Sequence, residues 1–379
     1  MPEFSRLSDT GNDPASKHIK HWIFLMRKRT HSTATILLVA IVVALLPSLS
    51  PAQRTNQKLA QTGMKFLNVG LNARQAALAD AFTSTDGYSS SMFYNTAGMA
   101  NLGMFAEASL SQVSWIGDIK HSAASVAFAP AGGDYGVVGI SFQYVDYGEI
   151  EATILANNSQ GFLDVGTFKP NAYAIGIGYA RSLTDKFSVG GNVKFVNQNL
   201  GTGIVEASYI TDGSGAATGV SDSAKKEVKN SLDVVAFDFG VLYRTGFKSL
   251  NIGMTVRNFA REVTYQKEGF QLPLTFKLGI SFNAMDLFDF DRETQSLLLA
   301  VDAEHPRDFP EQIRIGAEYM FMNTFAFRIG YVSPADEHSV SYGLGFQHSL
   351  AGTKFALDYA YTPFGVFNDV QRFSLRFGF

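Results

Sequence analysis

Four histidines follow residue 52, at His121, His305, His338 and His348, and two have carboxylates close by in the sequence: Asp308 after His305, and Asp336 and Glu337 before His338. An imidazole beside a carboxylate is an arrangement that moves protons in general acid–base catalysis. The rest of a catalytic apparatus is missing from the sequence. There is no G-x-S-x-G elbow to present a serine and no H-E-x-x-H helix to hold zinc. With no cysteine in the chain, thiolate nucleophiles, thiolate zinc sites and disulfide scaffolds are all excluded. Asp212-Gly213-Ser214-Gly215 hints at a calcium loop but lacks the repeated acidic ligands. The histidines therefore read as solvated loop residues, and the chain as a non-enzyme with no cofactor and no metal.

A second set of chemically capable residues is regularly spaced. Asp238, Arg244, Arg257, Asp302, Glu304, Arg314, Glu318, Arg328, Asp358 and Arg376 each occupy the polar parity of a segment whose other parity is apolar. From Arg314 to Phe321, for instance, Ile315, Ala317, Tyr319 and Phe321 oppose Arg314, Gly316, Glu318 and Met320. Phe325, Phe327, Ile329 and Tyr331 oppose Ala326, Arg328 and Gly330 in the same way, and Phe355, Leu357, Tyr359 and Tyr361 oppose Ala356, Asp358 and Ala360. This is the period of a β-strand. Charges of both signs on one face are expected to pair across strands and with whatever fills the space they face; the alternative is a polar conduit.

The elements that carry these residues are long. Turn signals delimit about fourteen strands, near 104-115, 119-129, 135-146, 172-182, 186-199, 232-245, 249-259, 274-283, 296-305, 311-322, 324-332, 339-348, 354-362 and 370-379. The composition agrees: 35 Gly, 32 Phe and 15 Tyr favour β structure over disorder, and no apolar run reaches the roughly 20 residues of a spanning helix. Alternation alone fits a soluble sandwich or a membrane barrel, and strand length, interfacial tyrosines and loop parity separate them. Strands of nine to twelve residues suit a tilted membrane crossing better than a soluble sheet. Tyr144, Tyr179, Tyr243, Tyr319, Tyr331 and Tyr361 fall near strand ends, where interfacial girdles lie. Connections after even strands are short, as at 130-134, 183-185 and 322-323, apart from 284-295; those after odd strands include 147-171, 200-231 and 260-273. Outer-membrane barrels alternate periplasmic turns and outer loops in this sense, with both termini expected on the periplasmic side. The expected fold is all-β, a 14-stranded antiparallel transmembrane barrel facing outer-membrane lipid.

The front of the chain reads as a processing segment. Arg27-Lys28-Arg29 precedes the apolar run Ile36 to Leu46, then Pro47 and Ser50-Pro51-Ala52. Eleven apolar residues rise only about 16 Å, short of a bilayer core, so this is a secretory signal peptide with cleavage expected after Ala52. Removing residues 1-52 takes six Lys/Arg and three Asp/Glu from a chain of formal charge −3, leaving an acidic exported protein of −6 that is unsuited to nucleic acid.

Residues 59 to 102 do not alternate. Phe66-Leu67-Asn68-Val69-Gly70-Leu71-Asn72-Ala73-Arg74-Gln75-Ala76-Ala77-Leu78-Ala79-Asp80-Ala81-Phe82 is an extended entry followed by an Ala-rich helical turn or two, and Asn95-Thr96-Ala97-Gly98 comes after it. These runs resemble the N-terminal part of the PorV/PorQ family, relatives of FadL-type transporters, whose pattern is FLxxGxxARxxALxxAF and then Asn-Pro-Ala-Gly. The resemblance continues through Asp302-Ala303-Glu304-His305-Pro306, Arg314 to Tyr319, Arg328 to Tyr331 and Leu357 to Tyr361. Thr96 stands where the family has proline, leaving φ less restricted there. The resemblance implies a short N-terminal plug at 53-103 within a barrel of 104-379, with Arg74, Asn95, Ala97 and Gly98 as the plug motif and Asp302, Arg314, Glu318, Arg328, Asp358 and Arg376 as a lumenal charge network. It further implies an adaptor of the type IX secretion system, whose outer loops receive the C-terminal signal domain of exported cargo alongside other components of that system. A FadL-like transporter of hydrophobic small molecules is the alternative. The Gly- and Ser-rich loops 147-171 and 200-231, apolar only at Ile150, Ile154, Leu155, Phe162 and Leu163, favour the adaptor. Phe377 and Phe379 close the last alternating strand, which is the usual signal to the barrel-assembly machinery. Deleting Phe379 is expected to lower the fraction of folded, fast-migrating protein on unboiled gels.

Overall fold

The computed structural model describes residues 62–287, 294–335 and 338–379. The expected signal peptide and its cleavage site lie outside the described residues. The strands are β1 (Ala106–Ser114), β2 (Lys120–Phe128), β3 (Val137–Asp146), β4 (Ile150–Leu155), β5 (Phe162–Phe168), β6 (Asn171–Ser182), β7 (Phe187–Thr211), β8 (Ala217–Arg244) and β9 (Asn251–Phe259). They continue with β10 (Val263–Thr264), β11 (Gly269–Phe270), β12 (Thr275–Asn283), β13 (Gln295–Pro306), β14 (Gln312–Phe321), β15 (Phe325–Ser333), β16 (Val340–Leu350), β17 (Thr353–Thr362) and β18 (Val370–Gly378). Fourteen of them close a barrel in the order β1, β2, β3, β6, β7, β8, β9, β12 to β18, and β18 returns to β1. All neighbours are antiparallel, and the seam runs from Glu107 opposite Gly378 to Ser114 opposite Gln371. Phe379 adds two bonds to it, its amide donating to the Ala106 carbonyl and its carbonyl accepting from the Ala106 amide.

Period-two alternation becomes an inside and an outside. Ile140, Ile177, Phe239, Ile329 and Phe373 are exposed on the outer wall, where lipid would cover them, while Ser141, Gly178, Asp238, Arg328 and Ser374 point inward. The lumen is occupied by residues 62–105, built from 3₁₀ turns and the short helix α1 (Ala73–Ala77). The inward face is more apolar than its sequence suggests. Near the outer mouth Val145, Ala172, Val196, Val234 and Ala236 pack on Met64, Phe66 and Leu67. Near the opposite mouth Ala127, Val137 and Ala180 pack on Met92, Met99 and Leu102. Charged pairs join plug and wall along the lumen, from Arg244 and Asp86 at the inner end to Lys65 and Asp308 at the outer.

Inward glycines serve as floor for the plug backbone. A Cβ at Gly190 would stand 2.5 Å from the amide nitrogen of Ala97, and one at Gly330 would overlap the Ala79 amide. The main chain of the plug thus lies directly against the wall, which only glycine permits at such approach.

The expectations for the long outer loops are corrected. Residues 200–231 are not a loop: β7 and β8 run past the rim as one hairpin, closed by a turn in which the Asp212 carboxylate accepts from the amides of Ser214 and Ala216. Register shifts after Asn199, Ile204, Glu206 and Ile210 explain why strict alternation fails there, since each bulge flips the parity of the residues beyond it. Residues 147–171 hold the hairpin β4–β5, and 260–273 hold β10–β11. At its first described residue the plug reaches the mouth away from Phe379, where Thr62 bridges Gln271, between β11 and β12. Of the longer connection 284–295, Ala284–Leu287 forms a 3₁₀ turn, while Asp289, Asp291 and Arg292 lie outside the described residues.

Replacing Gly330 by Val should push the plug off the wall and destabilise the barrel by about 1–3 kcal/mol. A lower heat-modification temperature on gels would register it, whereas Ile329→Ala on the lipid-facing side should leave the plug seated.

Candidate functional site

Among the described residues two places gather candidate functional side chains: the lumen, where charge meets the plug, and the outer rim, where the hairpins rise.

The lumenal charges converge on Glu318. Its carboxylate accepts from Arg74 Nε at 2.8 Å and Arg74 Nη2 at 2.7 Å, a bidentate pair from α1, and from Arg328 Nε at 2.5 Å across the β14–β15 ladder. Arg328 then reaches over β16 to Asp358 on β17, 2.7 Å from Nη1. It can do so because Gly345 lies beneath: a Cβ there would stand 2.6 Å from Nη1. Arg74 also stacks on Tyr88 at 4.4 Å, so the plug holds its own guanidinium in place. A bidentate arginine fixes direction as well as distance, which makes this cluster a register pin for the plug.

Asp302 is fully buried and accepts from the amides of Phe82 and Thr83 and from Thr83 Oγ1 at 2.6 Å, so a wall carboxylate caps a bend of the plug. Arg314 pairs with Glu304 and donates to the Ala79 carbonyl at 3.1 Å. Asn95 ties plug to wall, donating to the Thr83 carbonyl at 2.7 Å and the Val241 carbonyl at 3.0 Å while its Oδ1 accepts from the Ala97 amide. That side-chain turn closes Asn95-Thr96-Ala97-Gly98 without the proline of the resembled pattern. Ala97 is fully buried, and a Cβ at Gly98 would stand 2.7 Å from the Thr85 carbonyl oxygen.

Arg376 stands apart from the Glu318 cluster. It lies over the Tyr88 ring at 4.6 Å. Its neighbour Arg372, on the same face, is the more buried and donates to the Gly70 carbonyl at 2.9 Å and to Thr362. Glu107, Lys194 and Lys277 are further inward charges absent from the expected network: Glu107 accepts from the Ser89 amide, Lys194 pairs with Asp238 at 2.8 Å, and Lys277 with Glu304 at 3.1 Å. All four occupy the inward parity of their strands, the one signal that finds them. Arg244 pairs with Asp86 of the plug, and Arg257 donates to the Leu67 carbonyl. Two small voids lie between plug and wall: one among Asp80, Arg314, His338 and Arg372 measures about 20 Å³, room for about one water, and one among Leu67, Gln143, Lys194 and Arg257 about 10 Å³.

The histidines do not assemble into a proton relay. His305 meets Glu311 at 3.0 Å. His338 is stacked on Phe364 at 4.3 Å, and burial, with Arg314 and Arg372 nearby, holds its imidazole down to about 4. Asp308 pairs with Lys65 of the plug, and Asp336 and Glu337 lie outside the described residues. His121 is buried against Trp115, and His348 stacks on Phe346. Among the described residues no group of three metal-ligating side chains comes together.

At the outer rim β4–β5 leans on the β7–β8 hairpin. Tyr209 donates to the Leu155 carbonyl at 2.5 Å, and the Ala217 amide to the Asn157 carbonyl at 2.8 Å. The pair forms a raised platform from which Leu155 is 85% exposed and Ile210 55%, and Val366 in the last outer loop is 90% exposed.

A closed antiparallel barrel with lipid-facing aromatic residues and a plug pinned across its lumen defines an outer-membrane β-barrel protein. The family described as the type IX secretion system membrane protein PorP/SprF matches residues 153–367, more than half of the chain, and the chain belongs to that family. That is a non-enzymatic class. The sequence resemblance to PorV/PorQ is carried to this coarser level, an outer-membrane barrel of the type IX system. No curated protein sequence matches the chain. Among solved structures, the CymD monoaromatic hydrocarbon channel is 11% identical, with a TM-score of 0.49 over 82% of this chain and 98% of that one. The Pseudomonas putida toluene transporter TodX is 13% identical, with a TM-score of 0.49 over 78% and 94%. A Pseudomonas aeruginosa FadL homologue is 11% identical, at 0.47 over 82% and 98%.

Replacing Arg328 by Ala leaves two buried carboxylates short of their partner and should cost about 3–5 kcal/mol, read as a lower urea unfolding midpoint. Arg328→Lys should recover little of it, because one ammonium cannot span from Glu318 to Asp358.

Proposed function

We propose that the protein is an adaptor of the type IX secretion system. In this reading the barrel is a sealed mount, and the outer platform receives an exported cargo protein through its C-terminal signal domain, handing it to other components of the system. The observation that carries the reading is the contrast between the two ends of the site. The plug occupies the lumen, where the voids at Asp80 and Arg372 and at Gln143 and Lys194 measure about 20 and 10 Å³, while the platform raises apolar side chains into solvent at the outer face. Exposed apolar residues on a built, hydrogen-bonded scaffold suit contact with a protein surface.

The platform also differs from a greasy capture groove. Leu155 and Ile210 rise from neighbouring hairpins joined by the Tyr209 to Leu155 hydrogen bond, and the β7–β8 hairpin also carries charge, Lys225 pairing with Glu227 at 2.6 Å. The alternative, a transporter of hydrophobic small molecules, would need the plug to move and the wall to part. An irregularity in the wall that suits it is the β8–β9 bulge, where Asp238 accepts from the Asn258 amide in place of a ladder partner.

The two readings separate in one experiment. Joining Thr202 to Lys229, which face each other in the ladder, through a two-residue Asn-Gly turn removes the upper hairpin and leaves every barrel pairing from Asn199 opposite Ser231 downward. The shortened protein should keep its gel-shifted folded form, since loop-closure entropy changes little. Surface delivery of exported proteins should fail while uptake of a hydrophobic compound stays unchanged. Normal delivery with reduced uptake would favour the transporter and sink the adaptor.

A further inference from the structure

The six connections at the inner mouth share a feature that turn chemistry does not require. Tight turns favour Gly, Asn, Asp and Ser. Yet each of the six carries an exposed large apolar side chain at or beside its crest: Tyr135, Leu183, Phe247, Leu287, Met322 and Leu350, between 46% and 73% exposed. Single exposed apolar residues are ordinary on any surface, but the same choice at every connection of one rim makes a patch. The ring is continuous with the lipid-facing wall. Leu183, Phe247 and Leu350 carry on the outward parity of β6, β8 and β16, in step with Arg181, Tyr243 and His348. The Tyr135 carbonyl accepts from the Tyr179 hydroxyl at 2.7 Å, and at the end of the plug Phe105 meets Phe128 edge-on, ring centroids 4.5 Å apart. Tyr179 and Phe128 are both exposed on the outer wall.

We infer that this ring is a membrane-binding surface: the inner turns are set into the phospholipid headgroup layer of the periplasm-side leaflet, with their apolar tips at its acyl boundary, and do not stand free in the periplasm. Depth along the strands supports it. A strand tilted by about 40° descends roughly 2.5 Å per residue. From Tyr342, which pairs with Tyr361 at the outer end of the wall, β16 falls about 20 Å to Leu350, and from Tyr173, which pairs with Tyr144, β6 falls about 25 Å to Leu183. Both distances lie within the roughly 25 Å apolar band of an outer-membrane barrel, so a bilayer that reaches the outer tyrosines also reaches the tips. Charge fits the same surface. Arg181 and Lys354 are exposed beside Leu183 and Leu350, where a long side chain can cover apolar surface with its stem and hold its cation at the level of the phosphates. The exposed Asp134 and Asp185 suit the outermost part of the headgroup layer, where water remains. A leaflet meets all six tips at once, whereas a soluble partner would have to match them across the width of the mouth.

The chain contains no cysteine, so a single fluorophore can be attached at a chosen site without background. Leu183→Cys, Phe247→Cys and Leu350→Cys, each labelled with bimane and checked for the gel-shifted folded form, would be reconstituted into vesicles of phosphatidylethanolamine and phosphatidylglycerol. Each would be measured with and without lipids brominated near the top of the acyl chain, which quench a fluorophore that touches them. Phe327→Cys on the lipid-facing wall and Ser214→Cys at the tip of the β7–β8 hairpin set the upper and lower limits of the scale. Tyr135→Cys or Met322→Cys replaces any turn variant that fails to fold. At two or more of the three turn sites quenching should fall in the upper half of that scale. Quenching in the lower half at two or more of them would overturn the inference and leave the ring in water, open to a soluble partner.

Discussion

The structure depends on a carboxylate held between two guanidiniums. Glu318 lies on the wall, Arg328 on the next strand and Arg74 on the plug, and all three are withdrawn from water. A buried ion pair is weak evidence of net stability, because desolvation offsets much of the attraction. Its strength is intolerance of error. A plug displaced by even one residue would leave Glu318 half-paired and Arg74 without a partner in a low-dielectric space. The packing at either end of the plug is apolar and would accept many arrangements; the cluster at mid-height selects one. The glycines under the plug and the reach of Arg328 over Gly345 are consequences of bringing backbone and charge that close.

How much of this is legible in the sequence depends on which signals are local. A strand with one face toward lipid and one toward a packed lumen writes its parity into every second residue, so the fourteen barrel strands and the inward position of Asp302, Glu318, Arg328 and Asp358 can be read directly. Parity is also available for Arg372, Lys194, Lys277 and Glu107, but nothing in the sequence says how deep in the lumen a residue sits. The upper β7–β8 hairpin is hidden by its own bulges, each of which inverts the inside–outside pattern. The path of the plug is illegible for a different reason. Its short turns have no period, and its course is set by partners far away in the chain, as when Asp302 accepts from the amides of Phe82 and Thr83.

Membership of a secretion-system family and a filled lumen agree in one respect. A barrel whose interior is committed to holding its own N-terminal segment presents its chemistry at its edges. In this chain the edges differ: the inner mouth ends in tight turns, and the outer mouth carries three hairpins, a packed loop at Phe364 and the bridge from Thr62 to Gln271. Variation in partner would then be accommodated at the rim, with the wall and plug left unchanged.

The length of that hairpin has a mechanical side. About a dozen residues of each strand stand above the last barrel register, and at roughly 3.3 Å per residue they carry the Asp212 turn some 40 Å from the rim. That height exceeds the roughly 30 Å hydrocarbon core of a bilayer. A two-stranded ribbon of that span, braced on one side by β4–β5, bends more readily than it breaks. A small tilt where it meets the rim is carried to the tip as a larger displacement, and the Ala217 to Asn157 hydrogen bond makes β4–β5 share it.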